Sequence, residues 1–111
     1  MNYKKAIEWY KKAAKQGYAD AQCNLGVMYK HGEGVDVNYK KAREWSEKAA
    51  KQGYAAAQYN LGLMYYHGQS VDVNYKKAIE WYKKAAEQGH RSAQYNPVSY
   101  THLTLPTICS V

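Results

Sequence analysis

Few side chains in this sequence could do chemistry, and the text repeats, so each candidate can be judged by its counterparts. Histidine appears once per copy as His31 and His67, each followed by glycine. An imidazole can ligate a metal or move a proton near neutral pH. Either task needs convergent partners, and no such set recurs with these two. Both fall at expected helix ends, where the helix dipole favours a cation. Gly32-Glu33-Gly34 has the flexibility to cradle a phosphate. Its counterpart Gly68-Gln69-Ser70 lacks the second glycine, so the run reads as a turn. Cys23 is answered by Tyr59 and Tyr95, a change no nucleophile would survive. No catalytic residue, cofactor site or metal site emerges, and the chain is not read as an enzyme.

Lysine is the remaining candidate. Lys4-Lys5, Lys40-Lys41 and Lys76-Lys77 open three expected helices, where the dipole disfavours cations. Such a ridge could hold nucleic acid or another acidic surface. The plainer account is a solvated face, because Glu8-Lys12, Glu44-Lys48 and Glu80-Lys84 are pairs four apart in the favourable order. The formal charge of +7 divides as +2, +2 and +3 over residues 2–37, 38–73 and 74–96, so it follows the repeat and forms no separate arm. Most of the 13 tyrosines stand at core spacing rather than between lysines, where a base-stacking platform would need them.

The elements that position these residues come from the repeat itself. Asn38 to Val73 matches Asn2 to Val37 at 27 of 36 positions, and Asn74 to Asn96 restarts the same text. A period of this size marks a solenoid, in which each copy buries its apolar face on the next. Tyr3, Ala6, Ile7, Tyr10, Ala13 and Ala14 recur at the spacing of an amphipathic helix. Asn2 suits its N-cap and Gly17 its left-handed end. A second helix begins near Ala19, carries Ala21, Leu25, Met28 and Tyr29 as its apolar stripe, and ends at His31-Gly32. Gly26, repeated as Gly62, costs about 1 kcal/mol against alanine inside a helix. Its return predicts a neighbouring helix crossing at close range. The domains are therefore repeat 1 (2–37), repeat 2 (38–73), a partial repeat 3 (74–96) and a tail (97–111).

Comparing copies separates packing from variation. Ala6, Trp9, Ala13, Ala14, Gly17, Ala21, Leu25, Gly26, Met28 and Tyr29 are unchanged wherever their copy exists, and read as core. On the second helix the changes are Asp20, Cys23, Val27 and Lys30, answered by Ala56, Tyr59, Leu63 and Tyr66. Their i, i+3, i+7, i+10 spacing makes one stripe. These eight residues are the candidate partner-binding surface, with Tyr59 and Tyr66 as expected anchors because aromatic residues dominate interface energy. On the first helix Ile7/Arg43, Tyr10/Ser46 and Lys11/Glu47 vary together. A position open to both isoleucine and arginine is expected to meet water.

The text A-x-A-Q-x-N-L-G-x-M-Y-x-x-G, followed by Y-K-K-A-x-E-W-x-x-K-A-A-x-Q-G, resembles the Sel-one-like repeat of the tetratricopeptide-type α-solenoids over residues 2–96. The resemblance implies an all-α fold, a right-handed solenoid of antiparallel helix pairs with a 36-residue repeat. It also implies a scaffold or adaptor that binds a protein or peptide on a concave face lined by the helix near Ala19 and its copies. The variable stripe would lie on that face. Some relatives staple each repeat with a disulfide, and this chain lacks that cysteine pair. Nucleic-acid or acidic-surface binding through the lysine-rich faces is the alternative.

Residues 97–111 break the pattern, with Pro97 standing where a helix should continue. Pro97 to Thr107 reads like the translation of a transposase adapter used in sequencing libraries. On that reading the tail is non-native and irregular, disorder is expected there, and Tyr100, His102 and Cys109 carry no weight. Met1 stands where later copies have Val37 and Val73, which suggests an array cut at its left end. A truncated solenoid is expected to self-associate through uncapped ends. No secretory pattern or membrane span is read, since the uncharged run from Ser92 to Val111 is polar and holds two prolines. Two cysteines favour a cytoplasmic setting, and a periplasmic or secreted one fits if the native start is missing.

Overall fold

Each copy of the text opens with an asparagine ahead of good helix formers, and each asparagine caps a helix. The computed structural model describes residues 2–89, with α1 Tyr3–Lys15, α2 Ala19–His31, α3 Tyr39–Lys51, α4 Ala55–His67 and α5 Tyr75–Glu87. The side-chain oxygens of Asn2, Asn38 and Asn74 accept from the backbone N–H of Lys5, Lys41 and Lys77 at 3.2, 3.0 and 3.0 Å. A cap of this kind is worth about 1 kcal/mol against alanine. α2 and α4 begin at Tyr18 and Tyr54 without a side-chain cap. They end on Gly32 and Gly68, whose φ of 73° and 72° would strain any side chain.

Each helix packs on its neighbour in sequence, with the broadest contacts between α2 and α3 and between α4 and α5. Five helices and no strand make up the described residues, an all-α solenoid of repeats. The end of the partial repeat from residue 90 and the tail 97–111 lie outside the described residues. Three core clusters run along the stack, and each joins neighbouring helices. Ile7, Leu25, Met28, Tyr29, Ala42 and Met64 belong to the first. Cys23, Ala49, Ala57 and Leu61 belong to the second. Tyr59, Leu63, Ala78, Tyr82 and Ala85 form the third.

The helical glycines mark the close crossings they predicted. A Cβ added at Gly26 would stand 2.7 Å from Ser46 Oγ and 3.1 Å from the Ala42 carbonyl oxygen. At Gly62 it would stand 2.9 Å from a ring carbon of Tyr82. Tryptophan departs from expectation. Trp45 and Trp81 are half-buried, while Trp9, read as core, is 75% exposed. The reason is stacking direction: Trp45 packs on the cluster of Met28 and Tyr29, and Trp81 on the cluster of Cys23 and Leu61. Among the described residues no helix lies ahead of α1, so Trp9 has no such surface to lie on.

A polar ladder also joins the copies. Gln22 and Gln58 are buried and donate to the Ala14 and Ala50 carbonyls at 3.1 Å. Their own oxygens accept from Gln52 and Gln88 of the following copy at 2.8 and 2.7 Å. The buried amides are thus paired, and each junction is held in one register.

Candidate functional surface

The stripe read from the sequence lies along α2 and α4, and its eight residues divide by burial. Cys23 and Tyr59 are fully buried, and Ala56 and Leu63 nearly so. Asp20, Val27, Lys30 and Tyr66 are half-buried. The variable positions are therefore not one solvent face. Cys23 and Tyr59 sit where neighbouring helices converge, and what changes between copies there is the packing partner. The Cys23 Sγ accepts from Asn60 Nδ2 at 3.6 Å, tying α2 to α4. The Tyr59 ring lies 5.4 Å from that of Tyr82, tying α4 to α5. Burial pushes the Tyr59 hydroxyl up to about 12. Burial also raises that of Tyr82, helped by Tyr59 and Tyr66.

Lys30 and Tyr66, at the end of the stripe, each keep part of their surface in water. Tyr66 packs edge-on to His67 at 5.1 Å and meets Tyr75 at 5.2 Å, so two aromatic neighbours fix its ring. Lys30, its counterpart on α2, is held below the ordinary lysine value by burial. Burial first, and the Lys30 charge second, hold His67 below its ordinary value as well. Among the described residues the ion pair is Arg43–Glu47, and no carboxylate pairs with Lys30. An ammonium partly withdrawn from water without a counter-ion is a ready donor to a carboxylate.

The lysine ridge is arranged differently from the reading of charge pairs. Lys48 and Lys84 lie over the Trp45 and Trp81 rings at 4.9 and 4.7 Å. Lys41 and Lys77 lie over Tyr29 and Tyr65 of the preceding copy at 5.4 and 5.3 Å. A cation over an aromatic face is worth about 0.5–1 kcal/mol even when exposed, at least the worth of an i, i+4 ion pair on a helix. The rings, which the sequence reading left out of this comparison, outbid the glutamates. Arg43 shows the joint variation foreseen for α1 and α3: it bonds Glu47 at 3.1 Å and the Ser70 hydroxyl at 3.4 Å. The Gln22/Gln52 and Gln58/Gln88 pairs were missed, and the available signal was a glutamine kept in every copy. Among the described residues no three His, Cys, Asp or Glu side chains gather as metal ligands, and no helix is long and apolar enough to cross a membrane.

The Sel1 repeat model matches residues 2–18, 19–54 and 55–90, the last two beginning at the second helix of a copy. No curated protein matches the sequence. Among solved structures, one similar to this chain is a protective antigen present in uropathogenic Escherichia coli strains and displaying an SLR fold. It is 46% identical with a TM-score of 0.81, over 83% of this chain and 20% of that one. A Sel1 repeat protein from Oxalobacter formigenes is 43% identical with a TM-score of 0.79, over 83% of this chain and 38% of that one. The chain thus spans well under half the length of either protein.

Proposed function

Because this chain belongs to the Sel1 repeat family, whose members are generally non-catalytic protein-interaction scaffolds, we propose that it binds a peptide or protein segment along the α2–α4 stripe. The observation that carries this reading is the pairing of Tyr66, held by two aromatic neighbours, with Lys30, which has no carboxylate partner among the described residues. Tyr66 supplies a preformed aromatic anchor, and Lys30 supplies a charge for an acidic group of the ligand. Val27 and Asp20 continue the surface, while Cys23, Ala56, Tyr59 and Leu63 form its floor. On this reading, this side of the helices is the concave face.

The test uses peptides selected from a displayed random library against the chain. Tyr66→Ala and Lys30→Ala are each expected to weaken binding about tenfold, with Lys4→Ala and Lys76→Ala leaving it unchanged. Equal binding by the Tyr66 and Lys30 variants would refute the surface. Binding that falls steeply with salt and depends on the ridge lysines would instead favour nucleic acid or another polyanion.

A further inference from the structure

Two basic side chains meet where the C-terminal ends of α2 and α4 lie together. The two helices run in the same direction here, because their contacts advance together. The Cys23 sulfur accepts from Asn60 at 3.6 Å, and Met28 shares a core cluster with Met64. Seven residues beyond Cys23 and Asn60, about two turns along each helix, stand Lys30 and His67. The register thus sets the ammonium of one copy beside the imidazole of the next. The Lys30 charge accordingly acts on His67, second to burial, in holding the imidazole below its ordinary value.

The surroundings of the pair are rich in cations. On α4 itself Tyr66 packs edge-on to His67 at 5.1 Å. α5 brings Tyr75 to Tyr66 and Lys77 over Tyr65. α3 brings Lys41 over Tyr29, and Arg43, which bonds the Ser70 hydroxyl three residues past His67. The carboxylate among these contacts is Glu47, and Arg43 holds it at 3.1 Å. His67 is open to solvent and Lys30 is half-buried.

We propose that Lys30 and His67 form a two-cation seat for one carboxylate of the bound segment, and that filling the seat draws a proton onto His67. This deepens the peptide surface proposed above and rests on it. In the free chain two like charges side by side repel, which keeps the imidazole neutral. A carboxylate between them is opposite in charge to both and reverses that balance. Linkage then requires the acid to bind more tightly as pH falls through the range in which His67 titrates. The seat also sets specificity, because an amide in place of the acid gains nothing from either cation.

The probe is 3-phenylpropionate, a ring joined to a carboxylate, titrated into the isotopically labelled full chain and followed by NMR. Its uncharged control is 3-phenylpropanamide. The acid should shift the His67 ring and the end of the Lys30 side chain saturably, and bind about fivefold more tightly near pH 5.5 than near pH 8. Bound acid should move the His67 titration upward by about one pH unit, with His31 at the same place on α2 as the unmoved reference. The amide should do neither. His67→Gln should bring the ratio of affinities at the two pH values to about one, and Lys30→Gln should weaken the acid at both. An acid that binds beside Tyr66 and leaves the His67 titration in place overturns the seat while the peptide surface stands. A pH ratio that survives His67→Gln, an amide that binds as well as the acid, or an acid that moves neither Lys30 nor His67 at tens of millimolar overturns it too. The peptide surface falls separately, when the selected peptides ignore Tyr66 and Lys30.

Discussion

The junction between α2 and α3 and the junction between α4 and α5 come from nearly the same text but carry different side chains. At the first, Gly26 faces the Ser46 hydroxyl, and Cys23 lies among alanines. At the second, Gly62 faces the Tyr82 ring, and Tyr59 stacks on it at 5.4 Å with a 42° tilt. Both crossings are close, so the backbone arrangement survives either set. The difference teaches that variation between copies can mean matched repacking rather than exposure. Arg43 illustrates the same point at the surface: where Ile7 is buried, Arg43 arrives together with Glu47 and Ser70 as its partners.

Removing the large side chain at the tyrosine junction should break this comparison most sharply. Tyr82→Ala deletes a buried ring that touches both Tyr59 and the Gly62 backbone, and should cost about 3–5 kcal/mol. Ser46→Ala at the equivalent place should stay within about 1 kcal/mol. Urea unfolding midpoints measure both. Equal losses would mean that the two junctions do not differ in how they are packed.

The tryptophans offer the next contrast. Trp45→Ala removes a half-buried indole from the Met28 cluster and the platform under Lys48, and should cost about 2 kcal/mol. Trp9→Ala should stay within about 0.5 kcal/mol, because Trp9 lies in water. A comparable loss at Trp9 in the isolated chain would show that the end repeat is covered in solution.

The elements themselves were plain in the sequence. Asn2, Asn38 and Asn74 announced three helix starts, and Gly26 and Gly62 announced two close crossings, because caps and glycines act locally. Burial was harder to read. Trp9 and Trp45 are the same letter in the same local text, and only the presence of a preceding helix separates them. Tyr59 looked variable because Cys23 answers it, yet the cause lies across the junction in Tyr82, twenty-three positions away. The glutamine pairs went unread because a kept polar residue was not weighed as a packing residue. The proposed binding surface centres on Tyr66 and Lys30, where the stripe leaves the core.

A smaller contrast sits in the glycines. Alanine in a helix gains about 1 kcal/mol over glycine, and the neighbour decides whether that gain is kept. At Gly26 the nearest obstacle is a hydroxyl that can turn aside, so Gly26→Ala should be close to neutral. At Gly62 the obstacle is a ring locked in the core, so Gly62→Ala should destabilise by about 1–2 kcal/mol. Thermal denaturation of the two variants side by side gives the difference directly, and a neutral Gly62→Ala would show that the Tyr82 ring has room to move.

The finest contrast is between Lys30 and its counterpart Tyr66, and it should appear as a pH effect. Burial and then the Lys30 charge hold the His67 imidazole below its ordinary value. The folded chain therefore takes up this proton less readily than the unfolded chain. As pH falls through about 6.5, the unfolded state is protonated first, so stability is full above that pH and declines below it, towards the lower folded value. His67 is mostly exposed, so the effect should be the smallest of the four. His67→Gln should remove that part of the loss between pH 7.5 and 5, and Lys30→Gln should reduce it only in part, since burial is the larger cause. Melting curves across that range decide the matter. A slope left unchanged by His67→Gln would mean that His67 is hydrated as fully in the fold as in the unfolded chain, and that Lys30 does not act on it.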